Sequence, residues 1–169
     1  MSLESVVIRR ARTSDVPWIL ELTKPLVDSR VLLGKDAVSI YEAVQEFRVA
    51  EDGEGNPIGC GALHVMWQDL GEIRTLAVTQ EWLGKGVGGA ILDNLVLDAH
   101  ELGLSRLFCL TFEVDFFTRN GFQEASDDII DPETYKEMVL SHDEGVAEFL
   151  DLARVKPNTL GNTRMLRHI

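Results

Sequence analysis

Between Gly71 and Ala90, one stretch of this chain restricts its architecture more than any other. An apolar run suited to a β-strand, Ile73 to Val78, passes through a short polar turn into Gly84-Lys85-Gly86-Val87-Gly88-Gly89, and an amphipathic helix opens near Gly86. Strand, bare loop and helix N-terminus make an anion site, because unpaired backbone N–H groups and the positive end of the helix dipole face one spot. Gly84, Gly86, Gly88 and Gly89 lack the Cβ atoms that would hold a diphosphate at a distance. The segment therefore predicts a phosphate-bearing cofactor.

The loop also matches the bare dinucleotide expression G-x-G-x-x-G, through Gly84, Gly86 and Gly89. Its context is wrong for that reading. The fingerprint belongs to a βαβ unit whose strand runs straight into the loop, whereas Thr79-Gln80-Glu81-Trp82-Leu83 intervene here. No Gly-Lys-Ser/Thr occurs, so the P-loop pattern fails.

At 169 residues and 45% hydrophobic content, one core is expected, in a single domain over 6–166. No apolar run approaches a membrane span, and Met1 to Val7 lack the layout of a signal peptide, so a soluble, cytoplasmic protein is expected. Cys60 and Cys109 sit in apolar strand-like runs, which suits buried thiols in a reducing compartment. Neither they nor the four scattered histidines form a metal pattern, so no metal is expected. A net charge of −12 argues against nucleic acid and anionic membranes as partners. With only 16 Lys and Arg, the positions of the cations become informative.

Along the chain the order is β-α-α-β-β-β-α-β-α-β, without a repeat or linker. Val6-Val7-Ile8 forms a first strand. Thr13-Ser14-Asp15 caps a helix with Pro17 in its first turn, running toward Asp28. Val38 to Phe47 predicts a second helix. Arg48-Val49-Ala50 begins a strand that turns at 52–57, Ile58 to Trp67 returns, and Glu72 to Val78 follows a turn at 68–71. A helix from Gly86 to Leu102 ends at Gly103, Arg106 to Thr111 is a strand, and a short helix from Asp115 to Asn120 leads to Gly121-Phe122.

Leu76-Ala77-Val78, followed by the loop, resembles the acetyl-CoA segment of the GNAT acetyltransferases, Q/R-x-x-G-x-G/A. Gly86-Val87-Gly88 fits, while Leu83 stands where that pattern has Gln or Arg. Phe116-Phe117-Thr118-Arg119-Asn120-Gly121-Phe122 is similar to the family's F-Y-x-x-x-G-F ending, with Phe117 in place of the tyrosine that protonates the departing thiolate in many members. The resemblance implies an α/β (α+β) GNAT fold. Its central, mostly antiparallel twisted sheet would be flanked by helices and splayed at the acetyl-CoA strand. It further implies acetyl-CoA as co-substrate, held by Leu76, Ala77, Val78, Gly84, Lys85, Gly86, Val87, Gly88 and Gly89.

The flanks Ile8-Arg9-Arg10-Ala11, Ile58 to Leu63, Leu104 to Thr111, and Glu148 through Asn158 resemble the acetyltransferase domain of the N-acetylglutamate synthases, most of all their short actinobacterial form. The resemblance implies acetyl transfer to the α-amine of L-glutamate, the opening step of arginine biosynthesis; whether L-glutamine or aspartate also enters stays open. It points to Lys35, Lys156 with Asn158, and Cys60 as the substrate pocket. Oligomeric state stays open, a homodimer included.

Chemistry supplies the remaining candidates. Acetyl transfer needs a neutral amine, a positioned thioester and a donor for the developing oxyanion. Backbone N–H groups freed by a splayed strand near Leu76 would serve as that donor. Glu72 on the same strand is the candidate general base acting through water, with His64 as another candidate. Arg74 is a further cation for a dicarboxylate. A GNAT acting on another small amine or a peptide, and a non-catalytic acyl-CoA sensor, remain alternatives.

Overall fold

A computed structural model describes residues 2–32, 34–126, 129–143, 145–147, 149–150 and 161–169. Its strands are β1 (Val7–Arg10), β2 (Phe47–Glu51), β3 (Pro57–Val65), β4 (Leu70–Val78), β5 (Arg106–Thr111), β6 (Gln123–Glu124) and β7 (Thr163–His168). They form one mixed sheet in the order β1-β2-β3-β4-β5-β7-β6. Only β4 and β5 run parallel, as the expected mostly antiparallel sheet requires.

The helices are α1 (Val16–Asp28), α2 (Ala37–Glu42), α3 (Val87–Leu102), α4 (Val114–Arg119) and α5 (Pro132–Met138). One face of the sheet receives α3, whose Val87, Ile91, Leu95 and Ala99 recur at helical spacing and are fully buried. The helix lies so close to β3 that a Cβ on Gly59 or Gly61 would stand 2.9 Å from Ile91. On the other face, Val16, Ile19 and Ile40 of α1 and α2 pack with Cys60, Ala62 and Ala77. A third cluster joins Leu70 and Phe108 to Met138, Val146, Phe149 and Leu150, with Phe108 and Phe149 edge to face at 4.5 Å between centroids.

Three elements depart from the sequence reading. The second helix stops at Glu42, and a 3₁₀ turn, Val44–Glu46, carries the chain to Phe47. Phe47 is drawn into β2 because its ring is buried, it pairs with Ala62, and its carbonyl accepts the Ala11 N–H at 3.0 Å. Tertiary pairing thus overrides the helical period. The reading also missed α5 and β7. Arg164, Arg167 and His168 dilute the apolar signal of β7, yet it inserts between β5 and β6 with six register pairs to β5.

Candidate functional site

The sheet opens where the sequence expected it to. β4 and β5 pair only at Leu70, Gly71 and Glu72 against Arg106, Leu107 and Phe108, although β4 continues to Val78 and β5 to Thr111. From Ile73 onward the two strands diverge as arms of a V. The β5-facing edge of β4 is left for another chain of hydrogen-bonding groups to occupy.

The other edge of β4 is distorted as well. Cys60 pairs with Ala77, but two residues further along β3 Ala62 faces Arg74, three residues back along β4, so β4 carries one extra residue, a β-bulge. Thr75 occupies the bulge with φ +56°, a left-handed conformation rare for a β-branched residue and worth about 1–3 kcal/mol of strain. The Cys60 thiol donates to the Thr75 carbonyl at 3.4 Å from beneath. Burial pushes the Cys60 thiol up to about 12, so it stays protonated and is no nucleophile at neutral pH. Cys60 therefore lies behind the bulge and reaches the site through Thr75.

Past Val78, a 3₁₀ turn, Gln80–Trp82, leads to the glycine loop. Gly84 and Gly86 hold φ of +75° and +88°, and Gly86 is the N-cap of the 16-residue α3. This left-handed step lets the chain turn sharply into the helix and leaves the first-turn amides of Val87, Gly88 and Gly89 without intrahelical acceptors. Gly88 has a packing reason too, since a Cβ there would be 3.3 Å from the Phe116 ring. The Lys85 ammonium sits 5.4 Å from the Trp82 ring centroid at the rim of the loop. Phe117 packs edge to face with Phe116 and Phe122 in the core.

Inside the V, Glu72, Ile73, Arg74 and Thr75 line a cavity of about 60 Å³ together with Arg30, Lys35 and Asn162. Lys35 and Thr75 also border an adjoining, mainly apolar cavity of about 220 Å³ under α1 and α2. Arg74 dominates the electrostatics. Its Nε and Nη2 donate to Glu72 Oε2, and Nη1 and Nη2 donate to the two oxygens of Asp143 at 3.0 Å each. Burial works against the Arg74 charge, but Glu72 and Asp143 outweigh it and raise its pKa. Asp143 shows the converse: burial would raise it, yet the Arg74 bonds and charge bring it well below the usual carboxylate range. His64 extends the network, with Nδ1 2.6 Å from Glu46 Oε1 and Nε2 3.8 Å from Asp143 Oδ2.

Of the substrate residues expected from sequence, Lys35 and Arg74 come together with Glu72 at this cavity. Lys156 and Asn158 lie outside the described residues. Sequence reasoning missed Asp143, Arg30 and Asn162. Nothing local marked them, because the site is assembled from distant parts of the chain: Arg30 just past α1, Asp143 after α5 and Asn162 ahead of β7. Among the described residues no cluster of His, Cys, Asp or Glu could hold a metal, and no helix is long and apolar enough to cross a membrane.

Known proteins share this arrangement. The acetyltransferase (GNAT) domain family matches residues 43–124. An amino-acid acetyltransferase of Mycobacterium tuberculosis is 56% identical over 165 residues, 95% of this chain and 92% of its own. The crystal structure of Rv2747 from M. tuberculosis in complex with CoA and NLQ superposes with a TM-score of 0.87 at 54% identity, over 96% of this chain and 99% of that one. N-acetylglutamate synthase from Neisseria gonorrhoeae, complexed with coenzyme A and N-acetyl-glutamate, gives a TM-score of 0.76 at 29% identity over 96% of this chain. This chain spans 35% of that longer protein.

A sheet splayed at a bulged strand, with a glycine loop opening its long helix, defines an acyltransferase that draws on a coenzyme A thioester. The chain belongs to the GNAT family of acetyltransferases, and acetyl-CoA is its co-substrate.

Proposed function

We propose that this enzyme is an amino-acid N-acetyltransferase that acetylates the α-amine of L-glutamate, with L-glutamine as the second acceptor. Formation of N-acetylglutamate would place it at the opening of arginine biosynthesis. The observation that carries the reading is the cavity inside the V, where Lys35 and Arg30 stand beside the open edge of β4 in a chain of net charge −12. The 56% identity to an amino-acid acetyltransferase over nearly the whole chain supports the acceptor class.

In this mechanism the pantetheine arm of acetyl-CoA adds to the open edge of β4 along Leu76, Ala77 and Val78. Its diphosphate rests on the loop from Gly84 to Gly89, with Lys85 at the rim. The neutral amine attacks the thioester carbonyl, and the backbone N–H of Leu76 donates to the oxyanion that develops. That attack forms the C–N bond; collapse of the tetrahedral intermediate re-forms the carbonyl and breaks the C–S bond, releasing CoA thiolate. The amine proton passes through water to Glu72, whose carboxylate Arg74 holds in place. Phe117 has no proton to give and is buried in the core, so the thiolate leaves to solvent. Lys35 grips one carboxylate of the acceptor, and Lys156 with Asn158 grips the other. Cys60 backs the pocket through Thr75.

A thiol-release assay across the twenty amino acids, small polyamines and short peptides tests the assignment. Turnover with glutamate or glutamine above all others is expected. Turnover of small polyamines or peptides alone overturns it, and tight acetyl-CoA binding without any turnover would indicate a sensor.

A further inference from the structure

We propose that Asn162 is a specificity-determining residue of the acceptor cavity, hydrogen-bonding the side-chain carboxylate or carboxamide of the amino acid. The inference rests on the amino-acid reading above and extends it to a residue that neither the glycine loop nor the basic residues indicate.

Asn162 stands immediately before β7 and is only 9% exposed. Its Oδ1 is buried and has no hydrogen-bond partner among the described residues. A buried amide oxygen left in this state is costly, and a bound ligand is one partner that would complete it. Two of its neighbours in the cavity are committed to other partners. Glu72 and Arg74 bond one another, and Arg74 gives further donors to Asp143.

The position fits a ligand held between the two arms of the V. Lys35 approaches from the connection between α1 and α2, over the β4 arm, and lines the cavity with Thr75. Asn162 comes from the β5–β7 arm, where Thr163 pairs with Thr111. An acceptor lying across the cavity therefore meets a cation on one wall and a neutral amide on the other. The free Oδ1 accepts from a ligand carboxamide, and the same side chain turned over presents its NH2 as donor to a ligand carboxylate. Asn162 accordingly lets one cavity take either acid or amide, and an anion in its place would favour the amide.

The test compares the wild-type protein with Asn162→Leu and Asn162→Asp, measuring kcat and KM for glutamate and glutamine and acetyl-CoA affinity by calorimetry. Loss of the hydrogen bond in Asn162→Leu should raise KM for both acceptors about 10-fold or more, with acetyl-CoA affinity unchanged. Asn162→Asp should lower kcat/KM for glutamate at least ~10-fold more than for glutamine, a change of selectivity that a purely structural residue would not produce. Unaltered KM and selectivity in both variants, or a loss confined to acetyl-CoA affinity, overturns the role of Asn162 while leaving the amino-acid reading intact. If the wild-type protein turns over neither amino acid, that reading falls and the role of Asn162 falls with it.

Discussion

Arg74 on β4 and Asp143, 69 residues later, share a two-pronged ion pair, each guanidinium Nη donating to a different carboxylate oxygen at 3.0 Å. Asp143 also accepts the Val146 N–H at 3.0 Å, so the same carboxylate that anchors β4 caps the helical residues beginning at 145. The fit is tight: a Cβ on Gly145 would lie 2.6 Å from Arg74 Nη2. The wall of the cavity is thus set by a contact between distant parts of the chain.

Acid should weaken that contact. The folded-state pKa of Asp143 is depressed, so its contribution to stability is complete above the unfolded value of about 3.9 and is lost as pH falls through the folded pKa. Asp143→Ala should cost about 1.5–3 kcal/mol at neutral pH, the usual worth of hydrogen bonds to a charged group. Urea melts at pH 7, 5 and 3 check both points. The wild type should lose more stability than Asp143→Ala between pH 5 and 3, and parallel pH profiles would count against the pairing.

The glycine loop makes a prediction about the cofactor. Gly84 and Gly86 both hold left-handed φ, and a Cβ on Gly84 would meet nothing within 4 Å. A valine at either glycine is strained by that φ, so the loop backbone must shift and the cradle is lost while the core beneath it is untouched. Gly84→Val and Gly86→Val should bind acetyl-CoA at least ~10²-fold more weakly by calorimetry, equivalent to one or two charge-assisted hydrogen bonds. Circular dichroism should show the fold retained. Wild-type affinity in both variants would move the diphosphate elsewhere.

Glu72 is testable with little damage to the fold, because Arg74 keeps Asp143 as a partner when Glu72 loses its charge. Glu72→Gln should lower kcat by about 10²-fold if the carboxylate takes the amine proton through water. The loss should shrink at high pH, where more of the acceptor amine is already neutral. A wild-type rate at pH 7 would reduce Glu72 to the buried partner of Arg74.

Much of this was legible in the chain itself. The run from Ile73 to Gly89 fixes strand, loop and helix in order, since apolar period and glycine spacing are local signals. The strand limits of β5 and the Gly103 stop of α3 followed for the same reason. The bulge did not, because a threonine carries no mark of a left-handed φ. That conformation at Thr75 is imposed by β3 and by Cys60 beneath it. Arg74 looked like a free cation, yet four of its five donors are spent on Glu72 and Asp143. No local pattern could pair it with a carboxylate 69 residues away. Asn162 was hidden likewise, its meaning arising only from the buried position ahead of β7.

That accounting sharpens the prediction for Lys35. Arg74 is committed to its carboxylates, so Lys35 is the lysine that the described cavity offers to an anionic acceptor. It reaches the cavity from a connection over β4, away from the loop proposed to hold the diphosphate. Removing it should therefore separate the two substrates. Lys35→Ala should raise KM for glutamate about 10- to 150-fold, the worth of one charge-assisted hydrogen bond, while acetyl-CoA affinity stays within error. Lys35→Arg should recover only part of the loss, because a planar guanidinium does not reproduce a compact ammonium. If Lys35 pairs with the α-carboxylate, glutamine should lose as much as glutamate. If it pairs with the side-chain carboxylate, glutamate should lose more, so the ratio of the two effects reports the orientation of the bound amino acid. Normal kinetics with both acceptors in Lys35→Ala would place the acceptor outside this cavity.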